Sequence, residues 1–184
     1  MATAGWEPPR EGWVCAECGF DYDDTPAAGA AAAIRDLPRR YRPGLTRGLP
    51  GEDLDALVRV RPTDSTWSAL EYACHVRDVL SLYDDRIAMV TRERQPELSA
   101  MRRDEVAIER SYNTQAPTAV LDAIAVNAEA LATRLDAVTD ADWMRAGFRD
   151  GEALTIAWMA RNVVHEGRHH LLDIGRTLRQ VRAR

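Results

Sequence analysis

Three of the four histidines in the chain fall within six residues near its C-terminal end, in a stretch that reads N-V-V-H-E-G-R-H-H-L-L. His165 and His169 are four residues apart, so on an α-helix their side chains project from one face about one turn, roughly 6 Å, apart. Two imidazoles at that spacing can bind the same metal ion. The fourth histidine, His75, lies in a second helix-like stretch, W-S-A-L-E-Y-A-C-H-V-R-D. We therefore predict a metal site with the ligands His75, His165 and His169.

Three protein ligands are the number that a catalytic zinc site uses, because its fourth position is kept for water or substrate. Nickel, iron and copper accept the same nitrogen donors, so the residues alone do not choose the metal. We expect a divalent ion, with zinc as the first choice and nickel, iron or copper as alternatives.

Three polar or aromatic residues share a helix face with these histidines, namely Arg86, Trp158 and Asn162. Two more, Glu166 and His170, are adjacent in sequence to the predicted ligands. Arg86 follows His75 on one face of its helix and could bind a substrate carboxylate in two-point fashion, or pair with an acid inside the protein. We expect five residues to lie beside the metal or against the substrate: Arg86, Trp158, Asn162, Glu166 and His170.

The stretch H-E-G-R-H also matches the H-E-x-x-H pattern of zinc proteases, in which the glutamate is the base that activates water. Such a protease needs a third ligand downstream of the pair. Only His170 follows, and it is adjacent to His169. The protease interpretation is therefore the weaker one.

Cys15 and Cys18 form a C-A-E-C pair near the N-terminus. One such pair is half of a zinc ribbon, and a tetrahedral structural site needs two more ligands. Those ligands could come from Asp21 or Asp23, from His170, or from a second copy of the chain. A redox dithiol and a reduced pair without a role are the alternatives.

The composition excludes several function classes. A net charge of −5 argues against a nucleic-acid surface, which needs a concentrated positive face. No run approaches the ~18 apolar residues of a membrane span, and residues 1–15 lack the layout of a signal peptide. Three cysteines, an odd number, do not resemble a disulfide framework. We expect a cytoplasmic protein with no nucleic-acid or membrane partner.

Helical patterns account for most of the chain. A first helix should begin at Thr25 and Pro26 and end or kink near Leu37, because a proline follows. A second begins at the capping-box pair Ser68 and Glu71 and should reach about Arg92. A third begins at Pro117.

The last helical pattern covers residues 153–178 and contains the histidines. A short helix near residues 104–110 is expected within the connection over residues 93–114, and Gly147 and Gly151 should bracket a loop. No segment shows the alternation of a strand. We predict an all-α fold, a four-helix bundle over residues 25–184, preceded by a short irregular arm over residues 1–24.

Four segments resemble the DinB-like family of bacterial proteins over about residues 28–180. They read W-S-A-L-E-Y-A-C-H-V-R-D-V-L, Y-D-D-R-I, S-Y-N and V-V-H-E-G-R-H-H-L-L-D-I. The resemblance implies an up-down-down-up four-helix bundle that holds a divalent metal through one histidine of the second helix and an H-x-x-x-H pair of the last. These positions are His75, His165 and His169. The arm with Cys15 and Cys18 departs from the family pattern.

Relatives in this family include mycothiol-dependent maleylpyruvate isomerases and other thiol S-transferases. The resemblance therefore implies, first, a metal-dependent enzyme that adds or transfers a low-molecular-weight thiol to a small electrophile. A metal-dependent hydrolase is the second interpretation, and a non-catalytic metal or small-molecule binding protein is the third. The expected partner is a small-molecule substrate, and a homodimer is left open.

Overall fold

The computed structural model describes residues 12–184, so the first eleven residues of the expected arm lie outside the described residues. The elements in chain order are α1 (Ala30–Thr46), α2 (Leu54–Leu57), α3 (Ala69–Arg92), α4 (Arg103–Glu109), α5 (Pro117–Asp136), β1 (Ala146–Arg149), β2 (Glu152–Thr155) and α6 (Ile156–Arg182). Short 3-10 turns cover Ala27–Gly29 and Tyr112–Thr114. None of the helices formed by residues 12–184 has the length and apolar character needed to cross a membrane.

The start of α3 is the capping box expected from the sequence. The Ser68 hydroxyl accepts a hydrogen bond from the Glu71 backbone N–H at 3.2 Å, and the Glu71 carboxylate accepts one from the Ser68 N–H at 2.8 Å. Two backbone donors that the helix itself cannot pair are thereby satisfied. The helix that carries His75 therefore has a fixed first turn, and it ends at Arg92 as predicted.

Helix α1 does not end at Leu37. It continues through Pro38 and Pro43 to Thr46, although each proline removes a backbone donor from the helix. The residues beyond Pro38 are held by tertiary contacts, since Tyr41 is fully buried and its hydroxyl donates to the Gly167 carbonyl at 2.8 Å. Packing against α6 thus outweighs the local preference of proline to stop the helix.

The four long helices form a bundle in which α1 and α3 each pack against both α5 and α6. Arg35 near the start of α1 pairs with Asp136 at the end of α5 at 2.7 Å, so these two helices are antiparallel. Contacts between α3 and α5 advance together along both helices, which are therefore parallel: Arg77 with Asn127, and Asp84 with Arg134. Contacts between α3 and α6 run in opposite order: His75 with Glu166, and Tyr83 with Asn162. The helices follow the up-down-down-up order.

A two-stranded hairpin makes the fold not strictly all-α. Strands β1 and β2 pair antiparallel, with Ala146 opposite Thr155 and Arg149 opposite Glu152. Asp150 and Gly151 connect them with φ values of 54° and 85°, the left-handed conformations that a tight hairpin turn requires. The expectation of a plain loop between the glycines is corrected, because strands of four residues are too short to show a sustained alternation. The hairpin holds Arg149 beside α3 and α6.

The described part of the arm, residues 12–24, folds back on the bundle. An isolated bridge joins Val14 to Asp21, and the Phe20 carbonyl accepts a hydrogen bond from the Cys15 N–H at 2.9 Å. Phe20 and Tyr22 are buried in the same core as the helices. The arm therefore packs on the bundle through side chains of its own.

Candidate metal centre

Helix α6 carries two pairs of potential ligands that are offset by one residue. His165 and His169 form one pair, and Glu166 and His170 form the other. Consecutive residues on an α-helix are about 100° apart, so the two pairs point in different directions. The structure directs one pair toward α3 and the other toward the N-terminal arm.

The pair directed toward α3 meets His75. Its Nε2 atom lies 3.4 Å from Oε2 of Glu166, and the same oxygen lies 3.2 Å from Nε2 of His170. One ligand atom from each of these residues lies within 4.8 Å of the other two. His75, Glu166 and His170, called here the His–Glu group, could therefore hold a single ion.

Protonation in the His–Glu group follows from burial and mutual contact. Burial alone would raise the pKa of Glu166, but hydrogen bonds from His170 and His75 outweigh it and lower that pKa well below its usual range. Burial lowers the pKa of His75. For His170 burial acts downward too, but Asp173 and Glu166 raise its pKa to about 9. Glu166 and His75 are thus in the states that bind metal, whereas His170 must release a proton.

The other pair meets the arm. Nδ1 of His169 lies 3.5 Å from Sγ of Cys15, and ligand atoms of Cys15, Cys18, His165 and His169 all lie within 4.8 Å of one another. These four residues are called here the Cys–His group. The expected ligands are therefore divided: among residues 12–184, His75 is grouped with Glu166 and His170, and no group contains it together with His165 and His169. The division arises because adjacent positions on α6 face different neighbours.

Asp173 links the two groups and was not singled out in the sequence. Its Oδ2 atom lies 2.9 Å from Nδ1 of His170 and 3.4 Å from Nε2 of His169. A carboxylate on the second nitrogen of a metal-binding histidine fixes the tautomer and the orientation of the ring. The spacing of three and four residues from the two histidines was the signal that could have identified it.

A cavity of about 610 Å³ opens beside these residues. Its lining includes His75, His165 and Glu166, and also Asn162 and Tyr83. Four further lining residues are cationic: Arg86, Arg102, Arg103 and Arg149. Glu105 is the other acid in the wall. The balance of charge in the lining favours an anionic ligand.

Arg86 is the buried member of this cationic set, with 3% of its surface exposed. Its guanidinium donates to the Ser99 carbonyl and lies 4.8 Å from the centre of the Tyr83 ring. Burial lowers its pKa. No carboxylate in the described part of the chain lies within ion-pair distance of it, so the internal ion pair that the sequence left open is not formed. Arg86 is thus available to pair with an anion in the cavity.

Asn162 lies in a buried hydrogen-bond chain between the arm and α3. The Tyr22 hydroxyl donates to Oδ1 of Asn162 at 2.7 Å, and Nδ2 of Asn162 donates to the Tyr83 hydroxyl at 2.8 Å. Burial raises the pKa of Tyr83 to about 12. Trp158 stacks on the Tyr22 ring and is not among the described residues that line the cavity. Of the two residues expected beside the substrate on this face, Asn162 lies in the cavity wall, whereas Trp158 packs against Tyr22.

Comparisons with known proteins agree with this arrangement of helices. The solved structure of YfiT from Bacillus subtilis, described as a probable metal-dependent hydrolase with an unusual four-helix bundle topology, superposes with a TM-score of 0.75. The match covers 96% of this chain and 94% of that one at 16% sequence identity, so the likeness shows the fold. No curated protein matches the sequence. Residues 39–174 match the model of the DinB superfamily, which confirms the resemblance seen in the sequence motifs. The chain belongs to the DinB superfamily.

Proposed function

We propose that this protein is a divalent-metal-dependent enzyme that acts on a small anionic molecule, with the ion held by His75, Glu166 and His170. The observation that carries the proposal is the convergence of three ligand atoms beside a cavity. The wall of this cavity contains Arg86, which is buried and has no carboxylate partner among residues 12–184. This ligand set replaces the expected one of His75, His165 and His169.

The residues present fit a metal ion. Two imidazoles and one glutamate are a donor set that catalytic zinc sites use, and nickel, iron or copper would accept the same atoms. Glu166 is held ionised by its neighbours, and Asp173 orients His170 from behind. The group has three protein ligands among the described residues, which leaves a coordination position for a reactant.

A divalent ion held there would act as a Lewis acid and favour the anionic form of a thiol or of water at the open position. The residues of the cavity wall would bind and orient the substrate. Arg86 would pair with a substrate carboxylate, and the Asn162 amide, held by Tyr22 and Tyr83, would fix one wall. The volume of about 610 Å³ lies within the range of cavities that accept small organic ligands.

We rank transfer or addition of a low-molecular-weight thiol, of the mycothiol type, as the first reaction. Thiol transfer needs no separate general base, because a thiol is acidic enough to ionise once a cation stabilises its anion. Hydrolysis is the second candidate, and Glu105 favours it, because this acid of the cavity wall could take a proton from water. YfiT is described as a probable hydrolase, which also supports that candidate.

The test measures two reactions on the metal-loaded protein. Consumption of mycothiol in the presence of a small unsaturated carboxylate reports thiol transfer, and cleavage of a small carboxylate-bearing ester reports hydrolysis. We expect thiol consumption that H75A abolishes and E105Q leaves unchanged.

Ester cleavage that E105Q slows by about 100-fold or more would assign the hydrolase instead. Metal binding without turnover in either assay would indicate a binding protein. Metal content unchanged by H75A would overturn the assignment of the ion.

A further inference from the structure

We infer that Cys15, Cys18, His165 and His169 form a second metal site, a closed tetrahedral zinc site that fastens the N-terminal arm to helix α6. This site is separate from the His–Glu group and has no part in the proposed reaction. The inference rests on four features: the fold of the cysteine turn, the free nitrogen of His165, the contact of His169 and the number of ligands.

The cysteine turn places both thiols on one side of the arm. The Gly19 N–H donates to the Cys15 carbonyl at 2.8 Å, and Gly19 has a φ of 69°, a conformation that glycine adopts without strain. The bridge between Val14 and Asp21 closes the base of this turn. A C-x-x-C pair in such a turn supplies two of the four ligands of a structural zinc site.

One ring nitrogen of His165, Nε2, is directed into the protein without a hydrogen-bond partner in the described part of the chain. Tyr22 gives its one hydroxyl proton to Oδ1 of Asn162, so toward Nδ1 of His165, at 3.3 Å, the phenol oxygen can only accept. Nδ1 therefore carries the ring proton, and Nε2 has a lone pair. Nε2 is buried and has no hydrogen-bond partner among residues 12–184. A buried polar atom without a partner is costly, and a metal ion would satisfy it.

The His169 ring also directs one nitrogen toward the cysteines. Its Nδ1 atom lies 3.5 Å from Sγ of Cys15, and its Nε2 atom faces Asp173 at 3.4 Å. Zinc bonds of about 2.3 Å to sulfur and about 2.05 Å to nitrogen, at a tetrahedral angle, separate the two ligand atoms by about 3.5 Å. The carboxylate on the far nitrogen is the partner that metal-bound histidines usually have.

The ligand set has the composition of structural zinc sites. Two thiolates and two neutral imidazoles fill all four positions, which leaves none for a substrate. The ligands come from two segments about 150 residues apart in sequence, so the ion would cross-link the arm to α6. The aromatic rings of Trp13, Phe20 and Tyr22 surround His165 with centroid distances of 5.3 to 5.7 Å, and they would exclude water from the ion.

The structure does not favour the redox interpretation of the cysteine pair. A reactive C-x-x-C pair is activated at the start of a helix, whereas Cys15 and Cys18 lie in a turn between bridged residues. Both thiols face two histidines within 4.8 Å. Their neighbours are thus those of metal ligands.

The experiment counts and types the ions in the full-length protein. We expect two divalent ions per chain, of which the double variant C15S/C18S loses one and the H75A variant loses the other. Cys74→Ala is the matched control, since this buried cysteine lies outside both groups and its loss should leave two ions.

Cobalt replacement supplies a second measurement, whose decisive reading is made on the wild type and does not require C15S/C18S to fold. Cobalt bound by two thiolates gives an intense sulfur-to-metal charge-transfer band in the near ultraviolet, which should be present in wild type and in H75A. Absence of that band from the fully cobalt-loaded wild type would overturn the second site. So would a metal count that C15S/C18S leaves unchanged in a folded sample. If the sulfur-to-metal band were absent while H75A still removed one ion, this second site would be rejected and the proposed function would stand.

Discussion

The carboxylate of Asp173 lies 2.9 Å from Nδ1 of His170, and this contact leaves Nε2 of the ring directed toward Glu166. Because a carboxylate behind a metal-bound histidine fixes its orientation and basicity, we expect D173N to weaken metal binding at the His–Glu group about 10- to 100-fold. Competition with a chelator of known affinity measures this change. The exposed Asp140 provides the control, and D140N should bind metal as wild type does. Equal affinity in D173N and wild type would contradict the role of Asp173.

Single histidine variants distinguish one shared ion from two separate ions. If His75 and His165 belonged to one site, either alanine variant would remove the same ion. The grouping seen here predicts that H75A removes the ion without thiolate ligands and that H165A perturbs the one with them. Cobalt spectra of the two variants check this, because only the second change should alter the sulfur-to-metal band. Identical spectra from both variants would restore the three-histidine site.

Arg86 should contribute to binding at a cost to stability. R86M removes a buried charge that lacks an acidic partner, so we expect the free energy of unfolding to rise by about 1 kcal/mol. The same change should weaken binding of a small dicarboxylate such as maleate by about 2 kcal/mol or more, roughly 30-fold. Thermal unfolding and calorimetric titration measure the two effects. The surface variant R39M has the same change in charge and should alter neither the free energy of unfolding nor the affinity for maleate. A loss of stability in R86M without weaker binding would argue for a structural role of Arg86.

Gly167 of α6 packs directly against Leu37 of α1. A Cβ atom at this position would lie 2.7 Å from both Cδ atoms of Leu37, so G167A should destabilise the fold by about 1–3 kcal/mol. Gly175 on the same helix has nothing within 4 Å of such an atom, and G175A should stabilise it by about 0.5–1 kcal/mol. Denaturant unfolding of the two variants compares them. Stabilisation by both would show that the contact with Leu37 relaxes freely.

Local signals in the sequence were sufficient for most of the fold. The capping box at Ser68 and the proline that begins α5 at Pro117 are signals within one turn of chain, and both helices start where those residues predict. The hairpin was missed because its four-residue strands are too short to show a sustained alternation. The end of α1 was missed because a buried partner far along the chain, not local preference, decides it. Tyr41, which reaches Gly167 across the bundle, is such a case.

The division of the ligands between two groups could not be predicted from the spacing of the residues on α6. The sequence identifies His165 and His169 as the helical ligand pair and places Glu166 and His170 only beside the metal or the substrate. It does not say which of these positions face α3. That choice depends on the rotation of α6 about its own axis, which is set by packing such as that of Gly167 against Leu37. Docking of Cys15 against His169 is a contact across more than 150 positions, and no local pattern signals it.

The hydrogen-bond chain from Tyr22 through Asn162 to Tyr83 has a practical consequence for dissecting this protein. A fragment that begins at residue 25, the start of the bundle in the sequence, would lack the hydroxyl that holds the Asn162 amide in the cavity wall. We expect such a truncation to loosen the part of the cavity wall formed by Asn162, even though every helix of the bundle is retained. The short N-terminal arm thus supports the cavity wall through Tyr22 and should be kept in any shortened form of the protein.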